Sequence, residues 1–244
     1  MSSLRAFEVK GLPEIKEGAS LGELIAARAE IEPGDVLVIA QKIVSKAEGR
    51  LRRLPSVIPG AEARKLAAVL GKEPALVELI LEESKEVLRA ERRALIVETH
   101  HGFVCANAGV DSSNVPDDDT VCLLPEDPDA SARRIRGEIG KTIGVVIGDS
   151  FGRAWRLGQT EVAIGCVGLQ PLDDWRGRAD AHGRELEATL IAVADEAAAA
   201  ADLVRGKDSG VPVVVLRGLD RFVTPEDGPG ATALRRPRSE DLFR

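Results

Sequence analysis

Four short apolar runs constrain this chain more than any other feature: VLVIA at 36 to 40, ALIVETH at 94 to 100, TIGVVIGDS at 142 to 150 and PVVVLRG at 212 to 218. Each is brief, rich in β-branched residues and bounded by turn formers, so each reads as a strand. Helical patterns separate them. SLGELIAARAEI at 20 to 31 carries Leu21, Leu24, Ile25 and Ile31 at helical spacing, with Ser20 and Glu23 placed as a capping box. Helices are expected at about 60 to 70, stopped by Gly71, and at about 74 to 89, opened by Pro74. EDPDASARRIRGEIG predicts a helix capped by Asp127 and ended by Gly140. An alanine-rich helix follows at about 185 to 204. Residues 151 to 184 read as a long polar loop interrupted by VAIGCVGL, and 223 to 244 as a tail with little structure of its own.

Composition excludes several function classes. The net charge of -7 argues against general nucleic-acid binding, and 3% aromatic residues with no tyrosine argue against a base-stacking surface. No apolar run approaches the roughly 20 residues needed to span a bilayer, and MSSLRAFEVKGLPE has no signal-peptide pattern, so a cytoplasmic protein is expected. Cys105, Cys122 and Cys166 are odd in number and lack CxxC spacing, which fits reduced packing thiols.

Among the motifs, GEIGKT at 137 to 142 imitates a phosphate loop but has two residues between its glycines instead of four, and runs from helix to strand. No GxGxxG follows a strand, so a Rossmann fingerprint is also missing. Asp111 and Asp149 each follow an extended segment, in DSSN and DS, and such oxygen-rich surroundings suit magnesium or manganese. Asp-Ser pairs also cap turns and helices, so the pair alone does not decide. His100 and His101 point to opposite faces if extended, and read as turn residues. Arg153 and Arg156 follow Asp149 closely and suit phosphate or carboxylate oxygens, or a solvated loop. The end of the first of the four runs delivers Gln41, Lys42 and Lys46 to whatever lies beyond it.

Six blocks then stand together in order: GLPEI at 11 to 15, VLVIAQKIVSKAEGR at 36 to 50, HGFVCANAGVDSSNV at 101 to 115, LLPEDPD at 123 to 129, GDSFGRAWRLGQTEVAIG at 148 to 165 and VADEAAAAADLVRGK at 193 to 207. With these blocks the sequence resembles the coenzyme F420-0:L-glutamate ligase family over nearly its whole length. The resemblance implies a mixed α/β fold, α+β in character, that is neither Rossmann, P-loop nor ATP-grasp, as a single domain of two lobes over 1 to 244 that assembles as a homodimer. It implies ligation of L-glutamate to coenzyme F420-0 with GTP as co-substrate, through an acyl phosphate. It places GTP at Gly11, Leu12, Pro13, Glu14, Gln41, Lys46 and Asn114, and a divalent metal, manganese or magnesium, at Asp111, Asp149 and Ser150, with potassium as a further cofactor. Arg153 or Arg156 is expected to contact phosphate or substrate.

Three positions depart from the family pattern: Gln41 for serine or threonine, Ala154 for proline and Glu161 for aspartate. None removes a named metal or phosphate ligand. Two other readings use the same residues: a metal-dependent phosphohydrolase, with water as nucleophile, and a catalytically silent nucleotide-binding subunit.

Overall fold

A computed structural model describes residues 3–115 and 117–242. Along the chain run β1 (Arg5–Glu8), α1 (Leu21–Ala26), β2 (Val36–Ala40), α2 (Gln41–Ala47), β3 (Leu51–Arg53), α3 (Ala61–Leu70), α4 (Pro74–Glu82), β4 (Ser84–Glu91) and β5 (Ala94–Thr99). They are followed by β6 (Val104–Ala106), β7 (Thr120–Cys122), α5 (Pro128–Ile139), β8 (Gly144–Arg153), β9 (Arg156–Val167), β10 (Asp173–Asp174), β11 (Leu190–Ile191), α6 (Val193–Asp202) and β12 (Val213–Arg217). The fold is mixed α/β, as expected.

Its centre is a five-stranded sheet in the order β1-β12-β2-β8-β9. Only β2 and β8 are parallel; the other pairs are antiparallel. The alternation of side chains along each strand divides the core between two faces. Leu37, Ile39, Val145, Ile147, Val213 and Val215 pack with residues of α1, α2 and α5, while Val36, Val38, Val146, Val214 and Leu216 pack against the alanine face of α6. Both faces are covered, which is why these strands read as continuous apolar runs. A second body forms around α3, α4 and the three-stranded sheet β4-β5-β6, with its own buried side chains, among them Leu70, Val77, Ile80, Leu95 and Val97.

The sequence signals for α3 and α5 hold in detail. Gly71 and Gly140 adopt the left-handed conformation that ends each helix, and Asp127 accepts from the N–H of Ala130. Four expectations need correction. Ser20 stands at the start of α1 but makes no capping bond; the N–H of Gly22 is instead held by Glu138 Oε2 at 2.7 Å, from α5. The helix expected to reach 89 stops at Glu82, and residues 84–91 become β4 because β5 offers them a ladder of cross-strand bonds. The first half of the loop expected over 151 to 184 is a hairpin: β8 and β9 pair from Val145 with Val167 out to Arg153 with Arg156. The last helix begins at Val193, not at about 185, and α6 spans only Val193–Asp202. Among the described residues the tail has an isolated bridge from Val223 to Leu169 and single 3-10 turns at Ala231–Leu234 and Arg238–Glu240; Asp129 ties it down by accepting from the Ala231 N–H.

His100 and His101 lie in the turn after β5, and all three cysteines are free and buried. Among the described residues no helix is long and apolar enough to cross a membrane.

Candidate active site

Because β2 and β8 are parallel, their carboxyl ends open on the same side, where a crevice forms in sheets of this kind. The register brings β1's exit and β12's entry to that same end, since Glu8 lies opposite Val214, and Val213 opposite Ile39. The chain therefore delivers residues 12–15, the first turns of α2, the start of the Asp149 segment and the 205–212 loop to one place. A cavity of about 1010 Å3 lies there.

Of the residues expected to bind GTP, Leu12, Pro13, Glu14, Gln41, Lys46 and Asn114 line this cavity. Gly11 is off the wall; its carbonyl accepts from Arg28 Nε at 2.6 Å, which braces the turn that carries Leu12 to Glu14. Asp111, Asp149 and Ser150 also line the cavity. Arg153 and Arg156 do not. They face each other near the far end of the β8–β9 hairpin, where Arg153 Nη2 donates to the carbonyl of Leu157 at 3.1 Å, Trp155 is 80% exposed and Leu157 99%.

The stretch from Cys105 to Val115 forms one wall. After β6, Asn107, Ala108 and Gly109 are all left-handed, at φ of 54°, 53° and 71°. Such a run, costly for Ala108 in particular, turns the chain back toward the cavity. Asp111 then forms an isolated bridge with Cys122, and Asn114 is again left-handed at 52°.

Lys42 Nζ donates to Asp111 Oδ2 at 2.7 Å and to Ser113 O and Oγ, each at 2.6 Å. Burial works against the Asp111 anion, but the Lys42 bond and those from the Ser113 N–H and hydroxyl outweigh it and hold the carboxyl below its usual range. Asp149 has the opposite balance. Burial, with the negative charges of Glu161 and Asp111, pushes its carboxyl up to about 7 despite the Ser150 N–H. Lys46 pairs with the exposed Glu14 at 2.6 Å, so its ammonium is held at the cavity by a partner that water can replace.

On the other wall, register places Glu161 directly opposite Ser150. Glu161 is 3% exposed; Arg205 Nη2 holds its Oε1 at 2.5 Å, and Ser150 Oγ donates to its Oε2 at 3.0 Å. Gly148 has to be glycine here, since a Cβ would come within 2.9 Å of the Glu161 side chain. Cys105 also lines the cavity, yet burial and the Asp149 charge push its thiol up to about 12, which keeps it protonated and unreactive.

Among the described residues no three His, Cys, Asp or Glu side chains gather tightly enough to enclose a metal by themselves. Asp111 and Asp149 nonetheless fit a divalent ion of the magnesium type, which takes one or two protein carboxylates and completes its shell with phosphate oxygens and water. The raised Asp149 fits the same reading: it lies among anions, and its nearby cation, Lys42, is bonded to Asp111 instead.

Residues 11–218 match the family described as F420-0:Gamma-glutamyl ligase. The chain belongs to this family. Over 246 residues it is 45% identical to the coenzyme F420:L-glutamate ligase of Methanothermobacter thermautotrophicus, covering 97% of each chain. The protein of the same name from Archaeoglobus fulgidus is 47% identical over 222 residues, 89% of this chain and 88% of the relative. That from Methanopyrus kandleri is 45% identical over the full length of both. The chain is thus an enzyme of the ligase class.

Six charged residues of the site were absent from the sequence-based set: Lys42, Glu161, Asp202, Arg205, Lys207 and Asp208. Lys42 carried a usable signal, because it lies four residues before Lys46 and so on the same face of α2. The place of Glu161 against Ser150 becomes visible only when the β8–β9 register is known, and that of Arg205 only through its bond to Glu161.

Proposed function

We propose that this enzyme ligates L-glutamate to coenzyme F420-0, with GTP supplying the leaving group, and can add a further glutamate through a γ-linkage. The observation that carries the reading is the convergence of Leu12 to Glu14, Gln41, Lys46, Asn114, Asp111 and Asp149 on one cavity, in a chain whose relatives bear the name coenzyme F420:L-glutamate ligase.

A carboxylate is a poor acylating agent because oxide is a poor leaving group. In the proposed first step a carboxylate oxygen of F420-0 bonds to the γ-phosphorus of GTP, the bond to the bridging oxygen breaks, and GDP departs. The amine nitrogen of glutamate then bonds to the carbonyl carbon of the acyl phosphate, loses a proton, and inorganic phosphate leaves. Both steps bring anions together, so electrostatic compensation and alignment carry the catalysis. Lys46, freed from Glu14, and Lys42, freed from Asp111, are the ammonium groups placed to meet the phosphates. Asn114, fixed by its left-handed backbone, and the Leu12–Glu14 turn hold the nucleotide. Asp111 and Asp149 would hold manganese or magnesium, which supplies Lewis-acid stabilisation of phosphoryl oxygens when bound. Potassium and a homodimeric assembly belong to the same proposal.

The test is incubation with F420-0, L-glutamate, GTP and manganese, read by mass spectrometry. A gain of one or more glutamyl residues with matching release of GDP is expected. GTP consumption that proceeds equally without F420-0 and glutamate would favour a phosphohydrolase instead.

A further inference from the structure

Among the expected metal ligands Ser150 alone is a neutral group, and its hydroxyl already lies against an ammonium of the protein's own. Lys207 Nζ lies 2.5 Å from Ser150 Oγ, 3.5 Å from Asp202 Oδ1 and 3.7 Å from Glu161 Oε2. The lysine reaches in from the loop that joins α6 to β12, and both that loop and the three acceptors border the cavity. On the far side of the cluster, Arg205 holds the other oxygen of Glu161 and lies 3.9 Å from Asp202 Oδ1. Glu161 and Asp202 are therefore matched by Arg205 and Lys207, two carboxylates against two cations.

The opposite half of the site is not balanced. Asp111 and Asp149 have Lys42 between them as their nearby cation, and its ammonium is bound to Asp111. A divalent ion is drawn to the half that carries excess negative charge. At Ser150 it meets a neutral cluster, and would have to displace an ammonium from three acceptors and then lie beside it, like charge against like.

We propose that Lys207 is a built-in substitute for a metal ion at Ser150, so that this chain takes one divalent cation, at Asp111 and Asp149, and none at Ser150. The inference rests on the ligase reading only for the existence of the Asp111–Asp149 ion. A tethered ammonium at this position survives chelation, supplies one positive charge where a metal would supply two, and ties the 206–211 loop to β8 before any nucleotide arrives. Lys207 is thereby a positioning residue for that wall of the cavity.

The test counts manganese by electron paramagnetic resonance with guanosine 5′-(β,γ-imido)triphosphate at pH 8, in the wild type and in Lys207→Gln. The wild type is expected to bind about one ion per chain, and the variant about two, because loss of the ammonium leaves Glu161 and Asp202 under-compensated beside a free Ser150 hydroxyl. Lys207 is 70% exposed, so its replacement does not endanger the fold. Two ions on the wild type overturn the proposal and leave the Asp111–Asp149 site standing; one ion on both proteins overturns it as well. No ion on either overturns the metal reading itself.

Discussion

Asp149→Asn is expected to stabilise the metal-free protein while abolishing glutamyl transfer. The Asp149 carboxyl titrates at about 7 instead of its usual 3.8 because burial and the charges of Glu161 and Asp111 disfavour its anion. At about 1.4 kcal/mol per pH unit, that displacement means the ionised side chain costs the native state roughly 4 kcal/mol relative to the unfolded chain. The sign follows from proton counts. Between the two values the native state binds the extra proton, so the contribution to stability is complete below pH 3.8 and is lost as the pH climbs through 7. From pH 6 to pH 8 about 1.4 kcal/mol disappears, which for a chain of this size is about 3–6 °C in melting temperature. Structural relaxation and the weaker bond that a neutral amide takes from the Ser150 N–H offset about half of the full cost. Asp149→Asn should then melt about 4–8 °C above the wild type at pH 8. Scanning fluorimetry in EDTA across pH 6 to 8 measures both quantities. A variant that melts at or below the wild type at pH 8, or that shows the wild-type pH slope, would refute the claim that Asp149 is an anion held among anions.

Further outcomes follow from other parts of the site. Lys46→Ala should weaken binding of a GTP analogue about tenfold or more by calorimetry, while its lost contact with exposed Glu14 changes stability by less than about 1 kcal/mol. Arg205→Met leaves the Glu161 carboxylate buried without its guanidinium and is expected to cost about 3–5 kcal/mol in urea unfolding; adding Glu161→Gln should restore part of that loss. Gly165→Ala would set a Cβ within 2.5 Å of the Pro128 backbone where β9 meets the start of α5, and a loss of about 1–3 kcal/mol is expected from the same measurement.

How much of this was legible in the sequence differs by kind of information. The sheet's inner strands announced themselves, because covering both faces requires unbroken apolar runs, and α5 was fixed at both ends by Asp127 and Gly140. Edge and hairpin structure was not. SKEVLRAE has no strict alternation and follows a helix, so its conversion to β4 depends on pairing with β5, a contact distant from any local preference. The FGRAWRLGQT stretch, rich in glycine and charge, read as loop because β8 and β9 stabilise each other as they extend past the core. For the site, the blocks that resemble the ligase family pointed to residues that meet on one cavity, with Gly11 alone of the expected nucleotide and metal set standing back from the wall. Lys207 was out of reach, since nothing in its own neighbourhood in sequence reveals that its ammonium ends at Ser150.

The strand order carries a consequence for how the chain is made. β12, among the last strands to leave the ribosome, sits between β1 and β2, the first two. Until residues 213–217 emerge, β1 has no neighbour in the sheet and one side of β2 stays open, and β2 must also wait for β8. Such non-local closure is slow, and it exposes strand edges while it is pending. Nascent chains therefore cannot assemble the crevice, and the 205–212 loop that finishes it arrives together with the strand that closes the sheet. A chain truncated before Val213 should accumulate as an aggregation-prone species rather than as a smaller enzyme.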